Sequence, residues 1–414
     1  MATLIFYENW KALTVFSLLS LVCITVISAL TGMWVLTAIP IGFLFGVFLE
    51  KADLCGSSAF SEVLLVKDTK KLLGLWAIIV VGMIGFAGLS MLGLVKLNPR
   101  PFLWASHIVG GIAFGVGIVL AGGCVSGCLF KTGQGNINSM TGLIGIPFGV
   151  AAIEYGPLHE FSKYLEQFVI KAGDRGPVTL YSLTGLPYGI LAVFFTLMTL
   201  VLVWRSQQKK QTCATVVSSD IIYHKDDTPL IQRIVTKSWK PWQAGIAIGV
   251  LGIFAYLSSA ESGRNYPLGV THGVLQTAIL VTDSPVKNIY SKPPAPVQSS
   301  VETAPASDKA KPVPMKKIIW WLVLEVNALV LGAYVSARLS GKIRFIPRPP
   351  EQTVVAFFGG VLLGAGAGIS GACIVGNVMS GFALMSVGSI VFGVAVVIAN
   401  WVTTFFYHMG GEMY

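Results

Sequence analysis

Charged residues are scarce in this sequence. Asp, Glu, Lys and Arg make up 12% of its 414 residues, whereas a soluble domain has about a quarter. Hydrophobic residues make up 54%, and the mean hydropathy is +0.73. The shortage of charge excludes a soluble enzyme and predicts an all-α polytopic membrane protein. The net charge of +10 does not indicate a nucleic-acid partner. The basic residues lie in loops at 67–71, 205–211 and 338–349, where their expected partner is the cytoplasmic leaflet of the bilayer.

Several sequence signatures of catalysis are also missing. The chain has no G-x4-GK[ST] motif for a nucleotide, no C-x2-C pairing typical of zinc sites, and no cysteine-rich disulfide framework. It has no obvious intramembrane carboxylate relay. We therefore predict a protein that is not an enzyme and needs neither a cofactor nor a metal. The apolar run from Leu13 to Ala38 is too long for a signal-peptide core and predicts a first transmembrane helix.

Long apolar runs alternate with shorter, glycine-rich apolar pieces. The long runs lie near 11–36, 72–95, 138–155, 180–204, 242–260, 317–337 and 379–407. The shorter pieces lie at 41–50, 107–121, 266–281 and 354–371. These pieces are marginal for crossing ~30 Å of hydrocarbon, so they fit half-helices that enter, turn and leave. Such alternation is typical of a transporter or channel built from repeats. The acidic and basic segment 154–176 is the expected outer face.

A two-fold repeat is visible in the glycines and cysteines. The stretch "HIVGGIAFGVGIVLAGGCVSGC" (107–128) aligns with "AFFGGVLLGAGAGISGACIVGN" (356–377), and all matching positions are glycine or cysteine. We predict one membrane domain, 1–407, with two pseudo-symmetric repeats whose glycine-rich loops meet at the membrane centre. Its parts are a first helix (1–33), repeat 1 (34–204), a polar linker (205–240) and repeat 2 (241–407), which contains a disordered insertion (283–315). The alignment leaves open whether the repeats are parallel or inverted.

The pattern G-x3-G-x8-C occurs three times, ending at Cys55, Cys124 and Cys373. Small residues four positions apart let helix backbones approach closely. Nine helical residues rise about 13.5 Å, close to half of the hydrocarbon core. Each cysteine is therefore predicted near the midplane, at the tip of a half-helix.

Glycines before two of these cysteines predict sharp turns, at Gly122-Gly123 and at Gly371. A helix that resumes after such a turn points free N–H groups and its positive dipole end inward, which makes an anion site. Thiols are soft, polarisable and weak hydrogen-bond donors. Amides and thiols in an apolar setting favour a small sulfur-containing anion. Lys131 either attracts that anion or snorkels to the interface.

The remaining candidates are less specific. Asn377 occupies the place in repeat 2 that Cys128 holds in repeat 1, so a structural role is favoured for Cys128. Thr271 and His272 could contribute polar groups from the cysteine-free loop "NYPLGVTHGVLQ", although a lone histidine is more often structural. The two other cysteines, Cys23 and Cys213, are interpreted as incidental.

At these residues the sequence resembles the YeeE/YedE family of sulfur-transport membrane proteins. The resemblance is carried by "GFLFGVFLEKADLCGSSAF" (42–60), "GGIAFGVGIVLAGGCVSG" (110–127), "YPLGVTHG" (266–273) and "GACIVGN" (371–377). It covers nearly the whole chain apart from the two linkers. Departures are the "CG" at the first cysteine, the additional Cys128, and the insertion at 283–315.

The resemblance implies uptake of thiosulfate, or a related sulfur or selenium species, across the inner membrane. It implies an hourglass-shaped protein in which Cys55, Cys124 and Cys373 pass the substrate along by S–H···S hydrogen bonds, without covalent chemistry. A small cytoplasmic sulfur-carrier protein is the partner that the family context implies.

Two other functions stay open at this point. One is a membrane thiol oxidoreductase or sulfur transferase that uses Cys124 and Cys128, four residues apart on a helix. The other is a transporter for a non-sulfur solute, in which the cysteines only pack.

Overall fold

Helices make up nearly all of the regular structure, since a backbone surrounded by lipid must satisfy its N–H and C=O groups within its own segment. The computed structural model describes residues 10–172, 176–214, 230–282, 286–290, 316–345 and 349–409. The α-helices are α1 (Trp10–Thr31), α2 (Ala38–Ala52), α3 (Gly56–Leu65), α4 (Lys70–Met91), α5 (Trp104–Leu120), α6 (Val125–Gly133), α7 (Ile137–Glu154), α8 (His159–Glu166), α9 (Leu180–Thr184), α10 (Tyr188–Ala214), α11 (Leu230–Thr236), α12 (Pro241–Glu261), α13 (Thr271–Leu280), α14 (Trp320–Leu339), α15 (Pro350–Ile369) and α16 (Val387–Thr404). A 3₁₀ turn covers Trp34–Thr37, and π-helical turns cover Val375–Gly381 and Phe405–Met409.

Short strands join the ends of some helices. They are β1 (Phe102–Leu103), β2 (Val169–Ala172), β3 (Gly176–Pro177), β4 (Val286–Ile289) and β5 (Lys316–Ile319). β2 pairs antiparallel with both β1 and β3, while β4 pairs parallel with β5.

Ten helical segments in the described part of the chain are long and apolar enough to cross a membrane. Two of them, 34–65 and 104–133, are interrupted just before a new short helix. The interruptions end at Cys55 and Cys124, which precede α3 and α6. The chain is therefore a mostly helical, multi-pass membrane protein, as the composition predicts.

Each G-x3-G pair that precedes a cysteine lies at a close helix crossing. The pairs are Gly42 and Gly46 of α2 against α14, Gly111 and Gly115 of α5 against α16, and Gly360 and Gly364 of α15 against α7. A Cβ on Gly364 would lie 2.2 Å from the carbonyl oxygen of Ile146. A side chain at that position would push the two backbones apart.

A fourth pair of this kind was not found from the sequence. Gly245 and Gly249 of α12 pack on α4, where a Cβ on Gly245 would lie 2.3 Å from the carbonyl oxygen of Gly74. The sequence pattern misses this crossing because no cysteine follows nine residues after Gly249. The helices α5 and α15 also pack on each other, as do α2 and α12.

The bundle has two ends, the Lys71 face and the Arg264 face. At the Lys71 face, α2 and α14 end while α4 and α12 begin. There Lys71 Nζ lies 2.8 Å from Asp53 Oδ2, and Lys51 Nζ donates to Ser340 Oγ at 2.6 Å. At the Arg264 face, α12 ends and α14 begins, and Trp321 Nε1 donates to Ser258 Oγ at 2.8 Å.

Three predicted spans need correction. The piece predicted as short over 354–371 is the 20-residue helix α15, long enough to span a membrane. The span predicted over 379–407 begins at Val387, because the chain first forms a π-helical turn and reverses at Met385, whose φ is 56°. The span predicted from 180 begins at Tyr188, since Gly185 at φ 69° ends α9.

The predicted linkers also contain regular structure. Helix α10 continues to Ala214, because its residues after Arg205 are mostly good helix formers, and α11 covers Leu230–Thr236. In the insertion predicted to be disordered, β4 (Val286–Ile289) pairs with β5. The rest of that insertion, 283–285 and 291–315, lies outside the described residues.

Candidate functional site

Four breaks between helices approach one another inside the bundle. Loop 1 (53–55) joins α2 to α3, loop 2 (121–124) joins α5 to α6, loop 3 (262–270) joins α12 to α13, and loop 4 (370–374) follows α15. Loop 3 is tied to the π-helical turn that follows loop 4, since the Tyr266 hydroxyl donates to the Gly376 carbonyl at 2.8 Å. Loop 4 meets the start of α3, directly after loop 1, where Ile374 packs on Gly56.

The first two loops bring two thiols together. Cys55 Sγ lies 3.6 Å from Cys124 Sγ, and Cys124 Sγ lies 3.4 Å from Ser126 Oγ. Both cysteines are buried, with 0% and 1% of their surface exposed. Either thiol can donate to the other, so the pair forms an S–H···S contact without any covalent bond.

Each thiol of this pair stands at the start of a short helix. Cys55 is the N-cap residue of α3 and Cys124 is the N-cap residue of α6, both with extended backbone. The backbone N–H groups of Gly56 and Gly127 face Cys124 Sγ. A Cβ on Gly127 would lie 2.4 Å from Cys55 Sγ, so only glycine leaves room for that thiol. The pair therefore sits among amides at the positive ends of two helices.

The glycine turn of loop 2 is held by a lysine. Gly122 has φ 70°, which favours glycine, and Gly123 follows it at the turn. Lys131 Nζ donates to the Gly122 carbonyl at 2.8 Å, so the lysine fixes the turn as well as adding charge nearby. Cys128 Sγ donates to the Gly123 carbonyl at 3.6 Å, away from Cys124. This geometry gives the proposed Cys124–Cys128 redox pair no support.

The third motif cysteine lies in loop 4, apart from the pair. Cys373 is buried, and Gly371 before it has φ 73°, as the sequence predicts for a sharp turn. Asn377 is fully buried and held within the protein: its Nδ2 donates to the Ala372 carbonyl at 2.9 Å. Its Oδ1 accepts from Ser389 Oγ at 3.2 Å. These bonds give Asn377 a part in shaping loop 4.

A cavity of about 330 Å³ opens at the Arg264 face and has Cys373 in its lining. Thr271 and His272 also line it. The Thr271 hydroxyl is buried without a hydrogen-bond partner, whereas His272 Nε2 lies 2.9 Å from Glu154 Oε1. Of these two polar candidates at the start of α13, Thr271 is thus the one whose hydroxyl is available to a ligand in the cavity.

Two arginines that the sequence analysis did not single out line the same cavity. Arg100 and Arg264 face the ring of Tyr266, with their Cζ atoms 4.7 and 5.8 Å from its centroid. Arg264 lies only two residues before "YPLGVTHG", and this position next to the motif could have identified it as a site residue. Arg100 lies in "NPRPF", in a connection far from any motif, and no sequence pattern links it to the cavity.

No ligand set for a metal forms in the part of the chain that the structure describes. Groups of three or more His, Cys, Asp or Glu side chains in suitable positions are absent there. Cys55 and Cys124 meet each other and the Ser126 hydroxyl, whereas Cys373 shares its cavity with two arginines. Cys23 is exposed on α1, remote in sequence from these loops.

Comparison with known proteins gives a consistent result. A family model described as sulphur transport matches residues 51–402. The thiosulfate transporter TsuA of Spirochaeta thermophila is 26% identical over 366 residues, which cover 88% of this chain and 96% of that protein. TsuA of Escherichia coli is 25% identical over 352 residues, covering 85% and 88%. The probable transporter YedE of Escherichia coli is 27% identical over 177 residues, 41% of each chain.

Proposed function

The chain belongs to the sulphur transport family, and from this premise we propose that it carries thiosulfate, or a closely related small sulfur-containing anion, across the cell inner membrane. Its two relatives of matching length are named thiosulfate transporters. We further propose that it acts as a transporter rather than an enzyme, with no cofactor. A selenium-containing analogue is the alternative substrate, because selenium shares the softness of sulfur.

The observation that carries this proposal is the buried pair Cys55 and Cys124. Two thiols 3.6 Å apart, surrounded by amides, offer weak, soft donors to an anion. A hard phosphate or sulfate would find stronger partners elsewhere, whereas the terminal sulfur of thiosulfate matches an S–H donor. Weak contacts are also suited to transport, because a substrate must leave each site as well as reach it.

The substrate would pass three thiols in a short path. Cys373 lines the cavity of the Arg264 face, and Ile374 beside it packs on Gly56, next to Cys55. Cys55 in turn contacts Cys124. Each transfer would exchange one S–H···S bond for the next, so no bond of the substrate breaks. Gly122, Gly123 and Gly371 would supply the turns, and Lys131 would add positive charge beside loop 2.

We propose that the membrane domain, 1–407, consists of two inverted repeats, 34–204 and 241–407, whose loops meet at the membrane centre. Support comes from the four glycine crossings. The pairs α2–α14 and α5–α16 run from the Arg264 face to the Lys71 face. The pairs α12–α4 and α15–α7 run the opposite way. If the helices of repeat 1 are matched in chain order to those of repeat 2, the pair α2–α14 corresponds to α12–α4, and the pair α5–α16 corresponds to α15–α7. In each case the two corresponding pairs run in opposite directions.

Growth on thiosulfate tests the proposed function. A bacterial host that cannot assimilate sulfate would express the wild type or Cys124→Ser, with thiosulfate as its sole sulfur source. Wild type is expected to restore growth. Cys124→Ser is expected to lower thiosulfate uptake ~10-fold, which corresponds to about 1.4 kcal/mol.

The matched control is Cys23→Ser, which removes an exposed thiol of α1. It should transport like the wild type at equal membrane level. If the wild type fails to restore growth, thiosulfate is the wrong substrate, and selenium species are tested next. If Cys124→Ser transports normally, the thiol pair has no role in passage. We also propose a small cytoplasmic sulfur-carrier protein as a partner. If adding that protein leaves thiosulfate uptake into reconstituted vesicles unchanged, this part of the proposal is wrong.

A further inference from the structure

A single ammonium group contacts the chain on both sides of Cys55. Lys71, the second residue of α4, places its Nζ 2.8 Å from Asp53 Oδ2 and 2.7 Å from Glu62 Oε1. It also donates to Ser58 Oγ at 3.2 Å. Asp53 lies two residues before Cys55. Ser58 and Glu62 lie three and seven residues after it. Lys71 therefore joins loop 1 to α3 across the thiol between them.

The contact with Ser58 continues to the backbone of Cys55. Ser58 Oγ accepts from Lys71 and donates to the Cys55 carbonyl at 3.2 Å. Because the donor to the hydroxyl is charged, the two hydrogen bonds strengthen each other. The same carbonyl accepts the first backbone bond of α3, from Ala59 N at 2.9 Å. The backbone of Cys55 is thus fixed by a chain of two hydrogen bonds that begins at Lys71.

The turn before Cys55 has a backbone conformation that needs support. Asp53 has φ 47°, in the left-handed region that residues other than glycine rarely occupy. It ends α2, and the Cys55 N–H donates to its carbonyl at 3.1 Å. Among the described residues, Lys71 is the ion-pair partner of the Asp53 carboxylate. The ion pair therefore stabilises the turn from which Cys55 projects.

Exposure distinguishes Lys71 from the lysine beside it. The side chain of Lys71 is 15% exposed, whereas that of Lys70 is 76% exposed and pairs with Asp68. An exposed ion pair contributes little to stability. A mostly buried ammonium group with three partners is held in one place, because losing any of these partners leaves a charge poorly solvated. Lys70 is therefore a matched control for Lys71.

Other polar contacts hold the rest of α3 without Lys71. Ser57 Oγ donates to the Ile118 carbonyl of α5 at 3.0 Å, and Ser61 Oγ donates to Asn400 Oδ1 of α16 at 3.1 Å. These contacts connect α3 to two transmembrane helices. A variant of Lys71 is therefore expected to fold, with its change confined to loop 1 and the first turn of α3.

We propose that Lys71 is a positioning residue for Cys55. It fixes loop 1 and the first turn of α3 so that the Cys55 thiol stays within hydrogen-bond distance of Cys124. This inference deepens the proposed function and rests on it for the identity of the transported anion. At a separation of 3.6 Å, the anion can exchange one thiol for the other in a single step. A wider gap would leave it without a donor in apolar surroundings, which is costly.

A purely electrostatic role of Lys71 would give results of the opposite sign. Asp53→Asn and Glu62→Gln each remove one negative charge and one ion pair with Lys71, and asparagine tolerates the left-handed turn as aspartate does. Positioning predicts slower thiosulfate uptake in both variants, because the connection across Cys55 is weakened. Electrostatics alone predicts faster uptake, because the anion meets less negative charge.

Uptake of labelled thiosulfate into vesicles is the first measurement. Lys71→Met keeps the length of the side chain and removes its charge. It should lower the maximal rate several-fold and leave the KM close to the wild-type value, because the cavity that contains Cys373 is unchanged. Lys71→Arg keeps a charged donor for both carboxylates and should restore most of the rate. Lys70→Met should transport like the wild type.

The infrared S–H stretching band reports the thiol pair without any transport. An S–H group that donates to a sulfur atom absorbs at a lower frequency than a free one. Lys71→Met should shift the band toward that of the free thiol, which Cys124→Ser supplies as a reference for Cys55. Asp53→Asn and Glu62→Gln should shift it in the same direction, and Lys70→Met should leave it in place. The full-length protein used here carries serine at the other four cysteines, Cys23, Cys128, Cys213 and Cys373.

The two measurements together separate the possible outcomes. If Lys71→Met changes neither the band nor the uptake, the positioning role is wrong and the transport function stands. If Lys71→Met slows uptake without shifting the band, or if Asp53→Asn and Glu62→Gln speed uptake, Lys71 acts through its charge and the positioning role is wrong. If the wild type carries no thiosulfate but the band depends on Lys71, the transport function fails and the positioning role stands.

Discussion

Ile374 lies between the two thiol-bearing parts of the site. It is fully buried, and its Cδ1 lies 2.6 Å from where a Cβ on Gly56 would be. Cys373, its neighbour in the chain, lines the cavity of the Arg264 face, and Cys55, which precedes Gly56, contacts Cys124. We therefore propose that this apolar side chain closes the proposed path, because dry apolar constrictions exclude ions.

Replacing Ile374 tests that closure. Ile374→Ala should speed thiosulfate uptake several-fold and admit some sulfate, because the narrowest apolar contact is widened. Uptake of both labelled anions into vesicles is the measurement. Ile374→Val, which removes one methylene group, is the control and should stay close to wild type. Equal sulfate exclusion in all three proteins would show that the closure lies elsewhere.

The additional thiol of loop 2 should be dispensable. Cys128 Sγ donates to the Gly123 carbonyl and, among the described residues, forms no hydrogen bond to Cys55 or Cys124. Cys128→Ala should therefore keep at least about half of wild-type thiosulfate uptake, since one weak neutral hydrogen bond contributes roughly 0.5 kcal/mol. The uptake rate in vesicles checks this expectation. A loss as large as that of Cys124→Ser would place Cys128 in the path.

At the scale of helices, the glycine pairs decide how closely the bundle packs. A Cβ on Gly364 would lie 2.2 Å from the Ile146 carbonyl oxygen, between α15 and α7. A Cβ on Gly88 of α4 would meet nothing within 4 Å. The two positions thus differ in packing but share the same gain in helix propensity when changed to alanine.

This difference gives a matched pair of variants. Gly364→Ala should lower the stability of the detergent-solubilised protein by about 2 kcal/mol, because the crossing is overpacked. Gly88→Ala should leave stability unchanged or slightly raised. Thermal unfolding of both proteins in one detergent is the measurement. Equal melting temperatures would mean that α15 and α7 can separate without cost.

Some of the helix crossings could be predicted from the sequence, whereas one crossing and several helix ends could not. Three crossings were predictable because glycine must recur every four residues where backbones touch, and each also precedes a cysteine. The crossing of α12 and α4 uses the same spacing, but Gly245 and Gly249 lack the cysteine that drew attention to the others. Helix ends were harder to predict. Met385 and Gly185 adopt positive φ next to helix ends, and apolar composition does not predict backbone angles.

For the whole molecule, single introduced cysteines can test whether the Lys71 face and the Arg264 face lie on opposite sides of the membrane. Lys70 is 76% exposed at the Lys71 face, and Lys163 is 57% exposed in the 154–172 segment at the other face. Lys70→Cys and Lys163→Cys, each made in a protein whose Cys23 and Cys213 are serine, should react with an impermeant thiol reagent from opposite sides of the membrane. The same protein without an added cysteine is the control. Labelling of both from one side would contradict the assignment of these two residues to opposite faces.

The sequence by itself determined the class of the molecule and the residue types of its chemistry. Scarce charge and long apolar runs require a membrane-spanning helical protein, and glycines at fixed distances from Cys55, Cys124 and Cys373 mark breaks in its helices. Only the tertiary structure decided which of these residues meet. Cys55 pairs with Cys124 while Cys373 joins Arg100 and Arg264, from segments far apart in the chain. Local spacing fixes helices and turns, but contacts between distant segments depend on how the whole bundle packs.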